Sequence, residues 1–123
     1  KPQGWAVWPG GTAVVALPGN PVSALLSCEV FVRPMLERIL GRPERPWLTA
    51  VAAVGWNSPP GRRQLVPVRL ATSPDGTLLA EPAHARGSAS HLVTALAGAD
   101  AYAVVAEGIT TVMAGDRLPA RWL

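Results

Sequence analysis

Pro18-Gly19-Asn20-Pro21 stands between an apolar run, TAVVAL (residues 12–17), and a helical pattern that continues to Leu40. Asn20 is a strong helix N-cap, because its side-chain oxygen can accept a hydrogen bond from the N–H of Val22 or Ser23. Pro21 suits the first helical position, where a missing N–H costs nothing and the ring already fixes a helical φ. Gly19 permits a positive φ or a close backbone approach, Pro18 stiffens the exit from the strand, and Ser23 adds a hydroxyl in the first turn. The chemistry this suits is oxyanion binding. The free N–H groups of residues 22–24 and the helix dipole favour a phosphate or similar anion, and the carboxyl end of a strand is the usual ligand position in open α/β sheets. A well-capped helix without a ligand would carry the same signature. A Walker loop is excluded, since G-x-x-x-x-G-K-[ST] is absent.

Other reactive residue types are sparse. Ten Arg and one Lys outweigh eight acids, giving a net charge of +3. Arg42, Arg45, Arg62, Arg63 and Arg69 fall in the middle of the chain, where Glu44 is the one acid. Such a cluster can bind anions or form a solvated face. Asp75, Asp100 and Asp116 form no metal-spaced pair, and His84 and His91 are isolated, so no metal site is predicted. Cys28 rules out an internal disulfide; its place in an apolar helical stretch predicts a buried, inert thiol in a reducing, cytoplasmic setting. No K/R-rich block or aromatic RNA motif occurs, which argues against nucleic acid. No apolar run is long enough for a membrane span, and the opening KPQGWAV has no signal-peptide pattern.

The positioning elements follow from periodicity. WAVW (5–8) and TAVVAL read as two strands joined at Pro9-Gly10-Gly11. Residues 22–40 read as one helix, kinked at Pro34, with Glu29 and Arg33 spaced for an ion pair and Gly41-Arg42-Pro43 as a stop. The composition then shifts, so 42–46 is a linker between a segment 1–41 and a domain 47–123. Beyond it, strands are predicted at 47–56, 62–71, 77–82, 101–106 and 117–123. Ser73-Pro74-Asp75-Gly76 makes 65–82 a hairpin, and 91–99 is a short helix. Several short strands with regular turns predict a small barrel or sandwich, and most of the five Trp are expected in its core.

The run "LPGNPVSALLSCEVFVRPMLERILG" (17–41) closely resembles the molybdopterin molybdenumtransferases, the family that includes the E domain of gephyrin. Leu17 to Ser23 match that family's L-P-G-N-P-V-S loop residue for residue, and Phe31-Val32-Arg33-Pro34 match its F-V-x-P core. Lys1-Pro2 is similar to the end of its P-G-K-P segment. "GRRQLVPVRL" (61–70) and "GSASHLVTALAGADAYAVVAEG" (87–108) are similar to its G-R-x-x-F-x-x-V-x-L and G-S-x-S-H-L-L segments. Leu65 stands where Phe is usual, and Ala106 where Pro is usual.

The resemblance implies an α+β chain, the strand-loop-helix end of an α/β catalytic domain followed by a small all-β, barrel-like C-terminal domain. It implies insertion of molybdate into adenylylated molybdopterin in a homodimer, with Mg2+ held by acidic residues outside this segment. Because the family's enzymes are about three times longer, the segment is expected to be the C-terminal third and inactive alone. Pro18, Gly19, Asn20, Pro21 and Ser23 would shape the oxyanion pocket. Lys1 would add a point charge, and Arg62, Arg63, Ser88 and Ser90 would contact pterin or phosphate; no catalytic residue is assigned. The alternative is a β module used for dimerisation or docking, without chemistry of its own.

Overall fold

Two glycines decide how the chain begins. In a computed structural model, which describes residues 3–84 and 94–123, Gly10 and Gly11 take φ values of 100° and 87°, open to glycine at little cost. They reverse the chain between strands β1 (Gly4–Trp8) and β2 (Thr12–Ala16), which pair antiparallel with Trp5 opposite Val15. The chain divides into two compact units, meeting at Glu44 and Arg45. The first holds this hairpin and the helical segment after it.

The helical segment departs from one kinked helix. It consists of α1 (Pro21–Ser27), a π-helical turn over Cys28–Val32, and α2 (Arg33–Ile39). Pro34 is the physical cause: it offers no N–H, and its ring presses on the preceding turn. Widening that turn by one residue accommodates the proline, and Arg33 N–H then reaches back five residues to the Cys28 carbonyl. Val22, Leu26 and Glu29 form the buried stripe, so Glu29 rather than Cys28 takes the inward position. Cys28 is only half-buried, which corrects the expected buried thiol. Glu29 accepts two bonds from Arg33, at 2.6 and 2.7 Å. That pairing, above all the side-chain hydrogen bond, raises the Arg33 pKa above its ordinary value. Gly41, at φ 63°, ends α2 in a Schellman motif. Its N–H bonds the Arg38 carbonyl, and Arg42 N–H bonds that of Glu37.

The second unit is a closed barrel of five strands: β3 (Leu48–Ala52), β5 (Gln64–Thr72), β6 (Leu78–Pro82), β7 (Ala101–Val105) and β9 (Arg117–Trp122). Around the barrel the order is β3-β6-β5-β7-β9, with β9 returning to β3. Only β3 and β6 run parallel. A two-stranded ribbon, β4 (Trp56–Asn57) with β8 (Thr111–Val112), stands apart, and α3 (Thr94–Ala97) precedes β7. The interior positions are filled by Ala50, Ala52, Ala80, Ala101, Ala103 and Ala120 with Val66, Val68, Val105 and Leu118. Five strands enclose a narrow bore, which small and β-branched side chains fill.

The expectation for the tryptophans is corrected. The tryptophans are not in the core: Trp5 is 80% exposed and Trp8 67%, Trp47 and Trp122 are also exposed, and Trp56 is half-buried. The expected strand 47–56 is divided by Ala53-Val54-Gly55. At Gly55 an added Cβ would sit 3.0 Å from the Val112 carbonyl, so this corner needs a glycine's close approach. The hairpin 65–82 forms as read. Ser73 N–H bonds the Thr77 carbonyl at 2.9 Å, Gly76 takes φ 85°, and Pro67 sits within β5 with its carbonyl accepting from Ala83. Of the helix expected at 91–99, residues 91–93 lie outside the described residues.

Candidate functional site

Leu17 leaves the end of β2, and the next six residues build the start of α1. Asn20 is extended (φ −75°, ψ 126°) and caps the helix. Its Oδ1 accepts from Ser23 N–H at 3.1 Å and from Ser23 Oγ at 3.2 Å. Its carbonyl accepts from Ala24 N–H at 2.8 Å, the first bond of the helix. Pro21 occupies the first turn as its fixed φ predicts. Pro18 and Val22 are buried, Asn20 and Ser23 half-buried, and Gly19 and Pro21 face outward. Local sequence thus dictates a loop held stiff at both proline positions and pinned by one side chain.

The cap also narrows what the loop can offer an anion. Of the three first-turn amides expected to face a ligand, those of Ser23 and Ala24 donate within the cap itself. Val22 N–H and the dipole of the helix start are what the loop retains for an anion, since the Ser23 hydroxyl also donates to Asn20 Oδ1. Gly19 shows no positive φ and an added Cβ there would meet nothing within 4 Å, so neither the positive φ nor the close backbone approach expected of it is found.

Arg62 and Arg63 are exposed in the second unit, just after Gly61 (φ 69°) and before β5. Lys1, Ser88 and Ser90 lie outside the described residues. Among the described residues no group of three His, Cys, Asp or Glu is placed to hold a metal ion.

Two features escaped the sequence reading. A groove of about 280 Å3 lies between the β1–β2 hairpin and the helical segment, lined by Trp5, Val15, Leu17, Phe31 and Met35 among others. Phe31 and Met35 reach it through the π turn, whose extra residue no periodicity count anticipates. Gln3 Nε2 also donates to Ser27 Oγ at 2.9 Å, tying the approach to β1 to the end of α1. In the second unit the Arg121 guanidinium stacks 4.2 Å above the Trp47 ring centroid. Only the β3–β9 register brings these residues, far apart in sequence, together.

Comparison with known proteins agrees with this arrangement. The family described as MoeA C-terminal region (domain IV) matches residues 49–120, more than half of the chain. Molybdopterin molybdenumtransferase 2 of Mycobacterium tuberculosis is 39% identical over 110 residues, covering 88% of this chain and 26% of the relative. Molybdopterin molybdenumtransferase 1 of the same organism is 33% identical over 117 residues, covering 92% and 28%. Among solved structures, a molybdopterin biosynthesis MoeA protein from Pyrococcus horikosii superposes with a TM-score of 0.70 at 26% identity, covering 91% of this chain and 26% of that one. The chain spans about a quarter of the length of the curated relatives it matches.

Proposed function

The chain belongs to the MoeA C-terminal region family, and from that premise we propose that it is the C-terminal part of a molybdopterin molybdenumtransferase. The reaction is insertion of molybdate into the dithiolene of adenylylated molybdopterin, in a homodimer working in the cytoplasm. The observation that carries this reading is the capped loop from Leu17 to Ser23, rigid at the end of a strand. Pro18 and Pro21 form its wall, and Asn20 fixes the first turn through Ser23. Val22 N–H and the dipole of the helix start are then oriented toward the oxyanion of molybdate or a phosphate. Orientation rather than proton transfer is the contribution of these residues. Arg62 and Arg63 supply exposed positive charge for an anionic pterin substrate; Lys1 is assigned a point charge, and Ser88 and Ser90 hydroxyl contacts, to the same substrate. Mg2+ belongs to residues beyond this sequence, and no step here runs through it. Residues 1–123 alone are accordingly inactive in this reading.

The test uses the full-length enzyme. Pro21→Ala is expected to weaken binding of molybdate and adenylylated pterin while leaving the melting temperature nearly unchanged, because a proline here mainly stiffens the wall. Unchanged affinity for both substrates, measured by calorimetry, would reduce the loop to a helix cap. The second reading, a β module for dimerisation, is favoured by one observation: Trp47 and Trp122 are exposed on the barrel. Concentration-dependent self-association of the full-length chain, lost on substituting both tryptophans, would support it.

A further inference from the structure

Trp47 differs from the other exposed tryptophans in being held. The guanidinium of Arg121, a residue only 6% exposed, lies 4.2 Å from its ring centroid. Tyr102, buried at 1%, meets it edge-on with centroids 6.2 Å apart. A cation over one face and an aromatic edge fix the orientation of an indole. Yet Trp47 remains 53% exposed, so these two contacts leave much of the residue open. Burial of apolar area does not explain a fixed ring with an open side, since burial would have turned that side inward. Trp5 and Trp8, at 80% and 67% exposure, meet no ring or guanidinium among the described residues and serve as natural comparators.

We infer that Trp47 is a stacking platform for a flat heteroaromatic ring, with Arg121 as the cation beneath it. The assignment rests on the reading of the chain as part of a protein that handles an adenylylated pterin, and both halves of that substrate, pterin and purine, carry such a ring. Stacking of a heterocycle on an aromatic side chain is tolerant of ring identity and needs no hydrogen-bond code. The platform therefore takes the ring class, and the experiment separates the two sources.

The full-length enzyme, labelled with 15N-tryptophan, is titrated with neopterin and separately with AMP while the indole N–H signals are followed. The expected result is a saturable shift of the Trp47 signal, larger than those of Trp5 and Trp8, with one or both probes; whichever gives it names the ring. Trp47→Leu should weaken that binding by about tenfold, and Trp47→Phe should retain part of it. An unmoved Trp47 signal at millimolar probe overturns the inference. So do equal shifts at Trp5 and Trp8, or a Trp47 shift that follows protein concentration instead of probe. These outcomes leave the loop assignment standing, because that one is decided by Pro21→Ala in the full-length enzyme.

Discussion

The hairpin–helix unit and the barrel solve the problem of apolar side chains in opposite ways. In the barrel every strand has two partners, no edge remains open, and ten interior residues are at or near zero exposure. In the first unit, two strands offer two open edges. Trp5, Val7, Trp8, Val14, Phe31, Leu36, Ile39 and Leu40 all stay exposed, whereas Val22 and Leu26 are its buried apolar residues. A large side chain is therefore no guide to the core of this protein: six alanines fill the barrel interior while Trp5, Trp8, Trp47 and Trp122 are exposed. Closure, rather than hydrophobicity per residue, decides where the well-packed core lies. The candidate loop belongs to the unit with the weaker core, so its rigidity has to come from local chemistry, the two prolines and the Asn20 cap.

The same substitution placed in each region tests that contrast most directly. Val68→Asp would put a carboxylate into the barrel interior with no partner, a change expected to cost more than about 4 kcal/mol and to unfold the barrel. Val7→Asp, on an exposed strand position, should stay within about 0.5 kcal/mol. Urea denaturation followed by tryptophan fluorescence compares the two, and a barrel that tolerates Val68→Asp would break the distinction.

A smaller effect is expected at the cap. Asn20→Ala removes the acceptor for Ser23 N–H and Oγ and should cost about 0.5–2 kcal/mol. Amide exchange should accelerate at the start of α1 and leave the barrel strands unchanged. Acceleration spread through β5 and β7 would mean that the two regions are not separable in stability.

The smallest effect concerns the barrel's own hairpin turn. Asp75 accepts from Ser73 Oγ and from Thr77 N–H. The Ser73 bond first, and then the backbone, hold its carboxyl down at about 2. A depressed folded-state pKa means that the turn gains stability from the carboxylate above the unfolded value near 3.8 and loses it as pH falls through about 2. Since Asp75 is fully exposed, the change should be local. A carboxyl titration by NMR should place its midpoint well below that of an ordinary aspartate, and Ser73→Ala should move it up. A midpoint near 3.8 in the intact chain would remove the turn's contribution.

Much of this was legible in the residues themselves because it depends on neighbours in sequence. Asn20 followed by Pro21 specifies a capped helix start, Gly10-Gly11 a strand reversal, Gly41-Arg42 a helix stop, and Pro-Asp-Gly at 74–76 a hairpin. Each rests on backbone angles and hydrogen bonds within about five residues. What tertiary structure alone decided depends on closure and register. Barrel closure put Ala50, Ala52, Ala80, Ala101, Ala103 and Ala120 inside and left Trp47 and Trp122 exposed. Pro34 shifted the helical register through a π turn and carried Phe31 and Met35 to the groove. The two-residue strand Thr111–Val112 is too short to show any alternation and exists because Trp56 and Asn57 lie opposite it. Trp47 and Arg121 meet because β3 and β9 close the barrel, a pairing of residues more than seventy positions apart. Local preference fixes turns and caps, but the partner of a strand is chosen by how the whole sheet closes, and no short stretch of sequence carries that choice.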